Sequence, residues 1–476
     1  MQSLHSDNKN PFSAIGHFFK KIGCKIWTSI KNKALSIADF FLNLWLRFRA
    51  SSYQVKLSML FMGLGQLCYK QIIKGILYVL VEAAMIYFLI AFGFDFIKGF
   101  FTLCVNVADP ILDIKGDNSR DMLLMGVFTF MIIAIYLYIY ISNIKDCYKT
   151  FMLKNEGKEI PKFFTALRQY TDRDFYKVVL FVPVVLVLVV NVTPIIFMCL
   201  VSFTNYTSDT ETTFQWARLA AFEKLFSAQG MGSTLWKVFL WNIVWAFGST
   251  LINYFLGLSL ALLINKKCVK WKALWRGFPI LAYAIPGFIT ILTFRYMFTV
   301  GGPINAILQD FFHLEKPIDF LGMKGTWSTR LIGLGINAWL NIPTTMLLAT
   351  GVLSNMNQSC YEAARIDGAS SRKQFKDLTL PFVVFATTPT LISQFIGNFN
   401  NFGIFYYLRG NVKSAGYANS ASDTDLLINW LYKLSIDQKI YYIGGAVSLI
   451  IFLITATFSL IVYVRSSAYK KEDTYR

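Results

Sequence analysis

Apolar residues along this chain come in uninterrupted runs of about 20, each long enough at ~1.5 Å per residue to cross ~30 Å of hydrocarbon. The runs predict helices over about 73–95, 122–142, 177–203, 236–265, 272–299, 328–353, 382–406 and 440–465, taken in order as the first to eighth spans. Barrel strands would be shorter and strictly alternating. The expected fold class is therefore an all-α polytopic membrane protein. The run 57–68 is apolar but short and carries Gly63 and Gly65, which suits an interfacial or re-entrant piece better than a span.

Composition agrees. Of 476 residues, 55% are hydrophobic and 15% charged, where a soluble domain has roughly 25% charged residues. The net charge of +19 raises nucleic acid as a partner, but its distribution follows membrane topology instead. Segment 1–56 holds nine Lys/Arg against two Asp/Glu, and 266–276 holds Lys266, Lys267, Lys270, Lys272 and Arg276 with no acid. Segment 99–121 has two basic and four acidic residues, and 205–235 has two against three. By the positive-inside rule both termini are then cytoplasmic, with the basic segments meeting anionic lipids rather than nucleic acid. The domain layout reads as a basic amphipathic arm (1–72), an accessory pair of spans with a cytoplasmic connector (73–175), a six-span core (176–466) and a cytoplasmic tail (467–476). The outer segment 204–235 is polar, with Trp216 and Phe222 as packing points. Seven scattered cysteines without a Cys-x-x-Cys pair, and three histidines without a His/Cys cluster, imply neither a disulfide framework nor a metal site.

Between the sixth and seventh spans lies Tyr361-Glu362-Ala363-Ala364-Arg365-Ile366-Asp367-Gly368, followed at fixed distance by Leu378-Thr379-Leu380-Pro381. Chance yields this spacing on the order of 10⁻⁵ times in a chain of this size. Glu362, Ala363 and Ala364 are helix formers, Gly368 permits a turn, and Pro381 suits the first turn of a following helix. This loop resembles the signature loop of permease subunits in bacterial ABC importers. The resemblance implies that Glu362, Ala363, Ala364, Asp367, Gly368, Leu380 and Pro381 couple the membrane domain to a cytoplasmic ATPase. The chain has no phosphate-cradling G-x-x-x-x-G-K-[ST] loop, since Gly157-Lys158 is followed by Glu159 and nothing upstream fits. No cofactor is expected on this chain, ATP and Mg belonging to partner subunits, and no enzymatic activity of its own. Glu82-Ala83-Ala84 repeats the E-A-A triplet inside the first span without Gly or Leu-Pro at the required distances, and reads as a decoy whose carboxylate needs a partner.

Polar side chains inside spans tend to face a cavity or a neighbouring helix. Asn398-Phe399-Asn400-Asn401-Phe402 closes the predicted seventh span, with Asn398 and Asn401 on one face of a continuous helix. Amides suit sugar hydroxyls; hydrogen bonding between helices is the alternative use. Together with Tyr283-Ala284-Ile285-Pro286 and Asn337-Ala338-Trp339-Leu340, this run resembles the maltose/maltodextrin-type (MalF-like) permeases. That resemblance implies an intramembrane sugar site of Tyr283, Asn337, Leu340, Asn398 and Asn401. Gly287 stands where a serine is expected, Asn341 for a glycine, Thr344 for a tyrosine and Gly397 for a phenylalanine, so Gly287, Asn341 and Thr344 would reshape the pocket. The implied assembly contains a second permease, two ATPases, an extracytoplasmic sugar-binding protein and an oligosaccharide substrate in the bacterial cell membrane. Alternatives are a permease for raffinose- or galacto-oligosaccharides or glycerol phosphate, or an ion-coupled secondary transporter.

Overall fold

A computed structural model describes residues 51–106, 116–158, 160, 175–227, 231–266, 268–410 and 412–465. Most of the basic arm (1–50), the stretch 161–174 of the connector and the tail lie outside the described residues. Helices long and apolar enough to span a membrane occupy Ile72–Thr102, Ser119–Asn155, Val179–Val201, Met231–Asn265, Thr326–Ser354, Ser371–Arg409 and Tyr441–Val462. An eighth span is split into Lys272–Ala284 and Gly287–Met297, bent by 87°. Each predicted span is thus present, but the fifth is not one helix. Pro286 disfavours helical backbone at the residue before it, and Ile285 is extended (φ −87°, ψ 129°).

The chain forms two compact units, 1–98 with 125–191, and 99–124 with 192–476. In the first, the apolar run 57–68 folds as two short helices, Tyr53–Leu60 and Leu64–Cys68, and neither is long enough to span. Their buried polar groups are paired: Gln66 Nε2 donates to Asn143 Oδ1 at 2.7 Å, and Ser58 Oγ donates to Gln66 Oε1 at 3.0 Å. Glu82, in the decoy triplet, accepts a hydrogen bond from the Met62 backbone N–H at 2.8 Å. Its carboxylate has therefore found a partner within the chain, and the triplet is part of a span rather than a loop.

The second unit holds the spans from Met231 onward, together with Val192–Val201 of the third span. Its outer segment packs as the sequence suggests: Trp216 Nε1 donates to Phe100 O at 3.1 Å, and the Phe203 and Phe222 rings meet at 5.6 Å. The fourth and sixth helices approach closely at Gly257, where an added Cβ would fall 2.6 Å from the Thr345 side chain. Buried clusters form around Trp245, Phe405 and Leu408, and around Tyr254, Met346 and Val383. These contacts fix the fourth, sixth and seventh spans against one another.

The seventh span also differs from expectation. The helix does not start at the loop's Leu-Pro pair but at Ser371, and runs through a wide turn, Phe375–Thr379, into Leu380–Phe399. Pro381 has no N–H, and its ring would press on the carbonyl four residues back. The wide turn, in which Leu380 N–H reaches Phe375 O, opens the backbone just ahead of it. A similar wide turn, Val187–Val192, precedes Pro194 in the third span. At its far end the helix stops at Phe399, and a second helix, Gly403–Arg409, follows. Asn398 and Asn401 therefore do not share a helical face. The asparagine amides compete for backbone groups there: Asn400 Nδ2 donates to Ile396 O, and Asn401 Oδ1 accepts from Ile404 N–H at 3.2 Å.

Candidate functional site

The Glu362 loop forms one short helix, Gln358–Ile366, none of whose residues is buried. Its amino end is capped by Asn357, whose Oδ1 accepts from Ser359 N–H at 3.0 Å. Its carboxyl end closes on Gly368, at φ +73°, with Gly368 N–H donating to Arg365 O and Ala369 N–H to Ala364 O. Tyr361 ties the helix to the seventh span through a 2.8 Å bond with Thr379 Oγ1. Glu362, Ala363 and Asp367 are exposed, Ala364 is half-buried, and Ile366 is 86% exposed. Leu380 packs into the cluster around Tyr254 and Met346, and Pro381 sits in the first turn of the α-helical segment. The geometry is that of a rigid, solvent-facing helix braced directly on a membrane span.

The structure brings together a subset of the predicted sugar residues. Asn337 is fully buried, and its Nδ2 donates to Asn398 Oδ1 at 3.3 Å. Asn341 Nδ2 donates to both the backbone carbonyl and Oδ1 of Asn337 at 2.9 Å. Asn398 Nδ2 in turn donates to Thr250 Oγ1 at 2.9 Å, while its carbonyl accepts from Trp245 Nε1 at 3.1 Å. Leu340 and Gly287 are adjacent: a Cβ on Gly287 would lie 3.8 Å from Leu340 Cδ1. Tyr283 and Thr344 are exposed, and Asn401 caps Gly403–Arg409.

Sequence reasoning missed the fourth-span side of this cluster. Asn242, Trp245, Ser249, Thr250, Asn253 and Gly257 recur at spacings of one to four residues along one helix. That polar and small-residue stripe is a signal for helix contact in a membrane. Asn242 bridges Phe399 O and Leu427 N–H, whereas Asn253 is buried with both amide atoms unpartnered among the described residues.

A second feature had no sequence forecast. Beyond the end of the seventh span, Asp423 pairs with Arg409, the span's buried last residue, which also donates to Leu321 O and Gly322 O, and Asp425 pairs with Lys433 at 2.8 Å. Burial pushes the Asp423 carboxyl up, but the Thr326 hydroxyl and the Arg409 guanidinium outweigh it and hold the group below its ordinary range. Burial raises Asp425 despite Lys433. Arg330 donates to Asp423 O, and its guanidinium lies 3.9 Å from the Trp241 ring centroid and 4.9 Å from that of Trp327. Arg409 and Asp423 are 14 positions apart across irregular chain and Asp425 and Lys433 eight, with no helical or strand period to pair them, so only the fold reveals the network.

The described residues thus form a helical multi-pass membrane domain with a capped helix projecting from the loop between two spans. The profile of the family "Binding-protein-dependent transport system inner membrane component" matches residues 253–468. The chain is 31% identical over 419 residues to the galactooligosaccharides transport system permease protein GanP of Bacillus subtilis, covering 86% of this chain and 96% of that protein. It is 31% identical over 422 residues to the maltodextrin transport system permease protein MdxF of the same organism, covering 86% and 95%. It is also 30% identical over 424 residues to the maltodextrin permease MalC of Streptococcus pneumoniae, covering 86% and 95%. Among solved structures, a chain of a bacterial ABC transporter involved in import of the acidic polysaccharide alginate superposes with a TM-score of 0.51 at 18% identity, covering 63% of this chain and 98% of that one. The chain belongs to the permease family of binding-protein-dependent transport systems, and is a multi-pass cell-membrane protein.

Proposed function

We propose that this chain is the permease subunit of an ABC importer for oligosaccharides, maltodextrins foremost, working with a second permease, two cytoplasmic ATPases and an extracytoplasmic binding protein. The helix Gln358–Ile366 carries the reading: it is capped at both ends and braced on the seventh span, yet buries no residue within this chain. A short helix held this way transmits displacement as a rigid body. Glu362, Ala363, Ala364 and Asp367 form the surface offered to an ATPase, Ile366 adds an apolar contact, and Gly368 with Leu380 and Pro381 sets the angle to the span. Both termini and this loop lie in the cytoplasm by the charge pattern. ATP-driven closure of the ATPases switches the pathway between inward- and outward-facing states, and a site favoured in one state shifts the balance between them.

Sugar specificity belongs to the amide cluster of Asn337, Asn341 and Asn398, with Tyr283, Gly287, Leu340, Thr344 and Asn401 around it. Amides supply donors and acceptors to hydroxyls without charge. Galactooligosaccharides are the second reading, favoured by a relative of equal identity whose name carries that substrate. Competition of labelled maltodextrin uptake by unlabelled maltodextrins and galactooligosaccharides separates the two. Strong competition by the first alone supports the leading assignment, and competition by the second alone replaces it.

A further inference from the structure

Where the chain leaves the helix Met231–Asn265 and re-enters a helix at Lys272, it forms an open groove of about 550 Å³. Leu263, Ile264, Val269 and Trp275 supply apolar walls, and Lys266 and Lys270 line the same groove. Both lysines are exposed. Two neighbouring cations are already engaged: Lys272 Nζ donates to Asn265 O at 3.0 Å, and Arg276 Nη2 donates to Asn265 Oδ1 at 2.7 Å. Arg276 Nε is buried without a partner among the described residues. Trp271 and Trp275 are 77% and 58% exposed.

The position of the groove between the end of a membrane-spanning helix and the start of the split span puts it at the water–hydrocarbon boundary, where exposed tryptophans anchor and lysines meet headgroups. A purely aqueous anion would use the lysines and leave the apolar walls uncovered. A zwitterionic lipid would cover the walls and gain little from two cations. We propose that the groove binds one anionic phospholipid, its phosphate paired with Lys266 and Lys270 and its acyl chain lying along Leu263, Ile264 and Trp275. None of the groove's lining residues belongs to the amide cluster or to the Gln358–Ile366 helix, so the proposal does not rest on the proposed transport function.

The test uses the full chain reconstituted in phosphatidylcholine vesicles containing brominated phosphatidylglycerol or brominated phosphatidylcholine. The difference in fluorescence between the wild-type chain and Trp275→Phe isolates the Trp275 signal. Brominated phosphatidylglycerol should quench it at a roughly 25-fold lower mole fraction than brominated phosphatidylcholine, about fivefold from each lysine. That preference should fall about fivefold for each lysine replaced in Lys266→Gln and Lys270→Gln, and survive in the Lys266→Arg/Lys270→Arg pair. Unlabelled phosphatidylglycerol should relieve the quenching and inorganic phosphate should not. Equal quenching by the two lipids, a preference unchanged in the double glutamine variant, or relief by inorganic phosphate would each overturn the proposal.

Discussion

Asn398 shows how one amide joins three spans: its carbonyl oxygen accepts from Asn337, its amide donates to Thr250, and its backbone carbonyl takes the Trp245 N–H. Replacing it with leucine leaves the buried Asn337 Nδ2 donor without its partner, at a cost of roughly 1–3 kcal/mol, while the Thr250 hydroxyl keeps its bond to Ala246 O. Asn398→Leu should therefore lower the thermal midpoint of the detergent-solubilised protein as well as abolish uptake. A variant with unchanged midpoint and unchanged uptake would remove Asn398 from both roles. Asn401 behaves differently, because its side-chain oxygen caps a helix. Asn401→Ala should cost about 1 kcal/mol, while Asn401→Asp, which keeps the acceptor, should not, as read by thermal unfolding. Asp423 adds a pH dependence. Its carboxyl is held below the ordinary range by Thr326 and Arg409, so its contribution is fully present above that range and is lost as pH falls through the lowered value. Asp423→Asn should lower stability at neutral pH and flatten the loss on acidification; an unchanged acid profile would contradict the assignment.

The helix Gln358–Ile366 and the wide turn after it are the elements on which the proposed coupling depends. Gly368 sits at φ +73° with open space around the position of a Cβ, so backbone conformation rather than crowding restricts it. Proline cannot adopt that φ, and Gly368→Pro should uncouple the ATPase while the spans remain inserted. Co-purification of the ATPase at wild-type levels with undiminished uptake would contradict this. Span positions and loop placement were legible in the sequence because hydrophobic runs report burial in lipid directly, but lengths were less so: the second helix runs on to Asn155, past its predicted end at 142. Breaks were also harder to read. Pro286 lies inside a continuous apolar run whose hydropathy conceals the 87° bend, and the end of the helix at Phe399 depends on asparagine side chains choosing backbone partners. Pro381 was legible as a helix-start residue, but the wide turn that lets the helix begin earlier, at Ser371, depends on backbone accommodation no motif expresses.

At the scale of the whole molecule, the sequence exposes what is periodic or locally spaced, and the fold supplies what is assembled across distance. The eight spans and the loop motif belong to the first kind. The Asn337–Asn398–Thr250 cluster and the Arg409–Asp423 network belong to the second, since each joins residues tens of positions apart or, at 14, across a turn of irregular chain. The parts converge on one arrangement in which Leu380–Phe399 links the coupling loop at one end to the amide cluster at the other, over roughly 30 Å of helix. In the proposed mechanism, movement imposed at Gln358–Ile366 reaches Asn398 through this element. The most direct measurement is uptake of labelled maltodextrin into proteoliposomes holding this chain with its partner permease, ATPases and binding protein, with ATP inside. ATP-dependent uptake in the wild-type protein, lost in Gly368→Pro although the complex remains assembled in the membrane, is the predicted result. Uptake that continues without ATP, or that Gly368→Pro leaves at the wild-type rate, would contradict the account.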